Sequence, residues 1–288
     1  MSLDIKPLSR YDSSMPLEDH VGDIIRKSRL GLGIPANRVA TAGRITPEHL
    51  AEFEEHGQPR DGVHFAGISE LLTLDRAKME ALLDGWEPSN HDITRWHHLR
   101  QIETDDGGMA VNCFLVWDQD SGAAGLFDTG WTLKPIQTYL EQQRLQLQHL
   151  FLTHSHHDHI AALGAIRKLA PELRLHSKIQ GAPAEQRLNP GDEFEIGTLR
   201  VRFRGTPGHA EDGVTYLIDG FPNQVPAIAI VGDAIFAGSM GGARAHFDLA
   251  RAKIREEILS LPGDTLLCPG HGPITTVAEE VAHNPFFH

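Results

Sequence analysis

Polar and apolar positions alternate in two different rhythms along this chain, and the change falls near residue 90. Before it, apolar residues recur at helical spacing over 18–29, 35–42, 46–55, 67–73 and 75–84, with no convincing β run. Thr46 followed by Pro47 reads as an N-cap and first helical residue. Glu87-Pro88-Ser89-Asn90 reads as a boundary. From residue 93 the pattern is that of strands. Stretches 93–103 and 109–117 flank Asp105-Asp106-Gly107-Gly108, a hairpin signal. Further strands are predicted at 123–127, 148–152, 173–176, 193–196, 199–204, 214–218, 227–231 and 265–268. Helices are predicted at 133–144, 160–169, 248–260 and 275–283. Strands interspersed with helices predict an α/β layered sandwich over 91–288, preceded by a small all-helical module over 1–90.

Composition narrows the function classes. With 288 residues, 40% hydrophobic and 23% charged, the chain has the make-up of a globular enzyme. A net charge of -13 argues against a general binder of nucleic acid or membrane surfaces. No apolar run approaches a membrane span. Met1-Ser2-Leu3-Asp4 lacks the basic start and apolar stretch of a signal peptide. Two distant cysteines, Cys113 and Cys268, fit a reducing compartment, so the expected location is cytoplasmic.

The 18 histidines are unusual, and four of them stand in His154-Ser155-His156-His157-Asp158-His159. Imidazole and carboxylate are the ligands that zinc and similar ions prefer. So dense a cluster serves no apolar core, because each member would need a buried polar partner. In extended backbone His154 and His156 point the same way. Asp158 and His159 begin a helix, whose turn aims them at a neighbouring position. The spacing therefore suggests two adjacent metal positions. Further ligand types follow at predicted strand ends beside glycine: His209 in Thr206-Pro207-Gly208-His209, Asp233 in Val231-Gly232-Asp233, and His271 in Pro269-Gly270-His271-Gly272. Singly, each would be a turn or capping residue; jointly, they match in type, order and context.

This set resembles the metallo-β-lactamase superfamily, whose pattern is His-x-His-x-Asp-His followed by separated His, Asp and His. The resemblance covers about residues 93–288 and implies an αββα sandwich. It implies that His154, His156 and His209 hold one metal, that Asp158, His159 and His271 hold a second, and that Asp233 bridges both. Asp128, in Phe127-Asp128-Thr129-Gly130, would orient a ligand imidazole from behind. His157 is expected to bind nothing, Cys268 to be a buried strand residue, and His97, His98 and His176 to be structural or surface residues. The implied cofactor is two divalent ions, zinc first, with iron or manganese as alternatives.

The implied reaction is hydrolysis by a hydroxide bridging two metals, which lower the pKa of bound water to about 7. Asp158 and Asp233 would act at the catalytic centre, and no Gly-x-Ser-x-Gly elbow suggests a serine route. Cys268-Pro269-Gly270-His271-Gly272-Pro273, the stretch from Gly232-Asp233 to Gly238-Ser239, and His283-Asn284-Pro285-Phe286-Phe287 resemble the hydroxyacylglutathione hydrolase (glyoxalase II) branch. The substrate is then a thioester or, as in homoserine-lactone lactonases with the same seven ligands, a lactone. The chain stops just after Asn284-Pro285-Phe286, without the helical extension that carries glutathione-binding residues in long glyoxalase II enzymes. Persulfide dioxygenases, which use one iron and O₂, share the first motif. Their Gly-Cys-Gly-Arg stretch is replaced here by Gly238-Ser239-Met240-Gly241-Gly242.

Residues 18–84 weakly resemble a helix-turn-helix domain of the Cro/repressor type, carried by Val21-Gly22-Asp23-Ile24-Ile25, Val39-Ala40-Thr41-Ala42-Gly43 and Leu50-Ala51-Glu52-Phe53-Glu54. The candidate recognition helix, 46–55, has Glu48, Glu52, Glu54 and Glu55 and no Lys or Arg. Residues 1–95 hold 11 Lys and Arg against 16 Asp and Glu, the wrong sign for phosphate. The expectation is a module that packs on the catalytic domain or mediates homodimerisation, without nucleic acid. The regulator alternative joins DNA binding to a ligand-sensing metal domain.

Overall fold

Strands buried on both faces are apolar at every position, and Ala123–Phe127 is such a strand: all five residues are buried. The computed structural model describes residues 15–89, 91, 95–179 and 183–288. Ala123–Phe127 is β3 of a five-stranded sheet ordered β1-β2-β3-β4-β5, with β1 (Leu99–Asp105), β2 (Ala110–Trp117), β4 (Gln146–Phe151) and β5 (Arg174–His176). A second, six-stranded sheet is ordered β13-β12-β9-β8-β7-β6. Its members are β6 (Glu193–Ile196), β7 (Leu199–Gly205), β8 (Val214–Asp219), β9 (Ile228–Gly232), β12 (Leu266–Pro269) and β13 (Thr275–Thr276). A short hairpin of β10 (Ile235–Phe236) and β11 (Ser239–Met240) follows β9.

The strands' alternation sorts the core into layers. Phe114, Val116, Phe127 and Phe151 of the first sheet meet Val201, Tyr216, Ile218, Ile228, Ile230 and Cys268 of the second. Phe127 and Phe151 stack at 4.8 Å, and Tyr216 meets both edge-on. Cys113, Leu115, Leu126 and Leu150 face outward onto α6 (Lys134–Gln143) and α8 (Leu163–Leu169). Leu217, Ala229, Val231 and Leu267 face outward onto α9 (Phe247–Lys253) and α10 (Val277–His283). The result is the expected αββα sandwich, with Cys268 buried within it.

Among the described residues, five helices precede it: α1 (Val21–Gly31), α2 (Ala36–Gly43), α3 (Pro47–His56), α4 (Phe65–Leu72) and α5 (Arg76–Leu83). Thr46 caps α3 by accepting from the His49 amide at 3.3 Å. Ile24, Ile25, Leu50, Ile68, Leu72 and Met79 are buried in one cluster with residues of α9, α10 and the second sheet. The C-terminal segment joins this contact. The Asp75 amide donates to Pro285 O at 2.8 Å, and Trp86 stacks on His283 at 4.7 Å. Buried Asn284 donates to Ser239 O at 2.7 Å and to the Glu280 carboxyl at 2.8 Å, tying the C-terminus to the β11 hairpin.

Several element ends differ from the sequence reading. The strand expected at 93–103 starts at Leu99, and residues 92–94 lie outside the described ones. Trp96 is buried, and its indole N–H donates to Pro226 O at 2.8 Å, which holds the chain off the sheet before Leu99. The helix expected at 160–169 is two, α7 (His157–Ile160) and α8. The Ala162 amide is diverted to Gly130 O at 3.1 Å and to the Thr129 hydroxyl at 3.2 Å, which breaks the run. The helix expected at 248–260 is α-helical to Lys253 and π-helical over Ile254–Ile258. Thr275 and Thr276 pair with Leu267 and Leu266 before α10 begins.

Candidate metal centre

The parallel run of β3, β4 and β5, and of β9 beside β12, brings several C-terminal strand ends to one edge. Open α/β sheets carry their sites at this edge. β4 ends at Phe151, and the extended residues after it present His154 and His156 together. The one-turn helix α7 then aims Asp158 and His159 past them. His209 follows β7, Asp233 follows β9, and His271 follows β12.

All seven sequence candidates converge, in two groups: His154, His156 and His209, and Asp158, His159, Asp233 and His271. In the first group His156 Nδ1 lies 3.1 Å from His154 Nε2 and 2.9 Å from His209 Nε2. In the second, His159 Nε2 is 3.3 Å from Asp233 Oδ1 and 3.5 Å from Asp158 Oδ2. His271 Nε2 is 3.2 Å from Asp158 Oδ2 and 3.4 Å from Asp233 Oδ2. Atoms about 2.1 Å from one tetrahedral ion stand roughly 3.4 Å apart, so both spacings fit a cation. Asp233 Oδ2 also lies 3.5 Å from His209 Nε2 and 4.0 Å from His154 Nε2, which puts this carboxylate between the groups. The most telling atoms are His159 Nε2 and Asp233 Oδ1. Both are buried without a hydrogen-bond partner. Such atoms are costly unless something else satisfies them, and a divalent ion would.

The outward nitrogens explain why the inward ones are free. His271 Nδ1 donates to Ala110 O at 2.6 Å, and His209 Nδ1 to Gly242 O at 3.0 Å. His159 Nδ1 donates to Asp128 Oδ2 at 2.8 Å. The Thr153 hydroxyl donates to Asp128 Oδ2 at 2.7 Å, so its oxygen accepts from His154 Nδ1 at 3.0 Å. Four imidazoles thus have their Nδ1 protons fixed and turn Nε2 inward. His156 alone presents Nδ1. Asp128, at φ +59°, serves one imidazole of each group, where the sequence suggested a single one. Thr153 was missed, although it directly precedes His154. The carbonyls of Ala110 and Gly242 carry no side-chain signal to find. His157 is exposed and meets the edge of Trp131 at 5.5 Å. His98 is buried, and buried His176 bonds His149, the ring nitrogens 3.0 Å apart.

Close approach is built into the loop carrying His271. A Cβ on Gly270 would sit 2.2 Å from Asp233 Oδ1 and 2.6 Å from His159 Cε1. Gly270→Ala is therefore expected to empty the second group while leaving all seven candidate ligands in the sequence. Metal analysis checks this, with circular dichroism to confirm folding; unchanged metal content would contradict it.

Charges in the two groups are arranged differently. Burial and the neighbouring imidazoles lower His154 to about 2, and burial lowers His209. Burial also opposes charge on His271, but hydrogen bonds to Asp158 and Asp233, then the charges of Asp233 and Glu18, raise it to about 10. His159 is likewise raised against its burial by Asp233 and Asp128. At pH 7, His271 therefore holds a proton that a cation must expel, whereas His154 does not. Affinity at the second group should fall as pH falls below about 10, tenfold per pH unit for the proton that His271 releases. Calorimetry in buffers of different ionisation enthalpy is expected to show more proton release on binding at the second group than at the first. Equal release would contradict this assignment.

A cleft of about 550 Å³ opens beside the first group, lined by Ser155, His156, Lys178, His209, Glu211 and Asp212 among others. It gives a small molecule access to the convergent atoms.

Comparison with known proteins agrees with this geometry. The chain is 31% identical over 189 residues to the mitochondrial persulfide dioxygenase of Homo sapiens, covering 61% of this chain and 72% of that one. It is 26% identical over 202 residues to hydroxyacylglutathione hydrolase GloC of Haemophilus influenzae, covering 62% and 92%. Among solved structures, the B3 metallo-beta-lactamase BLEG-1 superposes with a TM-score of 0.56 at 28% identity, covering 65% of this chain and 98% of that one. The family model for the metallo-beta-lactamase superfamily matches residues 106–271, more than half of the sequence. The chain belongs to the metallo-beta-lactamase superfamily.

Proposed function

We propose that this chain is a hydrolase of thioesters or related ester-like bonds that works with two divalent ions. The observation that carries the reading is the second group: Asp158, His159, Asp233 and His271 converge, and His159 Nε2 and Asp233 Oδ1 are left buried and unpaired. That second set offers ligands for an ion beyond the one that the three imidazoles can hold. His154, His156 and His209 would hold one ion, Asp158, His159 and His271 the other, and Asp233 would serve both. Bound there, the ions would supply a hydroxide nucleophile near neutral pH and polarise the acyl carbonyl. The protein's part is positioning. Asp128 and Thr153 fix His154 and His159, and the Ala110 and Gly242 carbonyls fix His271 and His209. Asp233, Asp158 and Asp128 are three carboxylates that offset the charge of two dications. The cleft beside His156 and His209 admits the acyl group.

A second reading, oxidation of a persulfide at one iron, has support in the 31% identity to the human persulfide dioxygenase. One experiment separates them. The protein is loaded with zinc, iron or manganese and assayed against lactoylglutathione, other thioesters and lactones, with O₂ uptake followed on glutathione persulfide. Thioester hydrolysis without O₂ uptake is expected. O₂ uptake by protein carrying one iron, without hydrolysis, would overturn the reading. The same reading gives the helical module no nucleic-acid role, since α3 carries Glu48, Glu52, Glu54 and Glu55, with Glu54 bound to Arg29.

A further inference from the structure

Residues 15–20 precede α1 and lie outside residues 106–271, yet Glu18 among them lies against the loop that carries His271. A Cβ on Gly272, next to His271, would sit 3.0 Å from the Glu18 amide nitrogen and 3.3 Å from Glu18 Cβ. The segment is anchored on both sides of this contact. Met15 Sδ accepts from Gln101 Nε2 at 3.4 Å, and Gln101 in turn donates to Asn112 at 2.8 Å. Asn112 holds the ligand loop through Pro269 O at 3.1 Å and Gly272 O at 2.9 Å. Beyond Glu18, buried Asp19 accepts from the Ser239 hydroxyl at 2.6 Å and pairs with Lys27. Lys27 also donates to Met240 O at 3.0 Å and lies over the Phe236 ring at 5.0 Å. Phe236 in turn packs edge-on against His271.

The charges this segment brings are thus unequal in availability. Asp19 and Lys27 satisfy one another. The Glu18 side chain is exposed, and among the described residues no hydrogen bond or ion pair engages its carboxylate. Its charge is felt at His271. An unpaired anion at the edge of a site repels anions and attracts cations over about 10 Å, the screening length at 0.1 M salt.

We propose that residues 15–20 form a wall of the substrate site, and that Glu18 on it selects thioesters whose thiol part is neutral or cationic over those whose thiol part is anionic. This rests on the hydrolase reading for the word thioester, while the wall and its charge preference stand on the geometry above. Because the Glu18 carboxylate is bonded to none of the described residues, Glu18→Gln removes the charge and leaves the Asp19 and Met15 anchors in place.

The test uses the full chain loaded with cobalt(II), whose thiolate charge-transfer band reports thiol binding without turnover. Affinities are measured for cysteamine, 2-mercaptoethanol and 3-mercaptopropionate, which differ mainly in charge. The unsubstituted protein should prefer cysteamine to 3-mercaptopropionate. Glu18→Gln should shrink that preference by about three- to tenfold, Glu18→Lys should shrink it further, and high salt should erase the difference. Identical preference ratios in all three proteins would overturn the proposal, as would failure to bind cobalt. If the ratios shift as expected but no thioester is hydrolysed, the wall stands and the hydrolase reading falls.

Discussion

Asp233→Ala is expected to lower thioester turnover by on the order of 1,000-fold, the loss of several kcal/mol of transition-state stabilisation. It is also expected to remove the metal of the second group in preference to that of the first. Asp233 Oδ1 and Oδ2 stand 3.3 Å and 3.4 Å from the Nε2 atoms of His159 and His271, against 3.5 Å and 4.0 Å from those of His209 and His154. Without it, the second group keeps Asp158, His159 and His271, three ligands around a site shaped for four. The first group keeps its three imidazoles. His159 and His271 would also lose the carboxylate they share, so two buried imidazoles would face each other's charge with only Asp158 and Asp128 opposing it. Metal content per chain, measured with steady-state kinetics on the same preparation, checks the effect. Loss of both metals in equal proportion would contradict the shared role of Asp233.

Asp128→Asn is expected to weaken binding at both positions by about 10- to 100-fold, although Asp128 itself touches neither ion position. Its Oδ1 accepts from the Thr153 amide at 2.8 Å, and its Oδ2 accepts from both the Thr153 hydroxyl and His159 Nδ1. Asparagine tolerates the positive φ, so the backbone turn survives and the charge alone is removed. One amide oxygen can no longer satisfy the three donors, and the new NH₂ would face a donor. The imidazoles of His154 and His159 would then lose their fixed orientation together. Competition with a chelator of known affinity measures this. A loss confined to one position would show that the Thr153 relay to His154 carries nothing.

Much of this was written in the sequence because ligands are side chains and strands alternate. The run from His154 to His159 carries its own geometry: two residues apart in extended chain, then a helical turn. His209, Asp233 and His271 were legible because each follows a predicted strand and sits beside glycine. The strand at 193–196 and the one at 123–127 fall where alternation and apolar continuity put them. What stayed hidden is what long-range contact decides. The two-residue strands β10 and β11 are too short to show a period, and β13 exists only because β12 lies beside it. Ala162 reads as mid-helix until Thr129 and Gly130 take its amide. The relay through Thr153 needed the distance to Asp128. Glu18, 253 positions from His271 in sequence, needed the fold to bring it to the rim.

The central claim is that two ions, and not one, serve catalysis at this centre. Titrating metal-free protein with zinc, while following bound metal and thioester turnover on the same samples, tests it most directly. Activity rising only as the second equivalent binds, and reaching its plateau at about two ions per chain, is the expected result. Full activity at one ion per chain, with the second equivalent adding nothing, would contradict it.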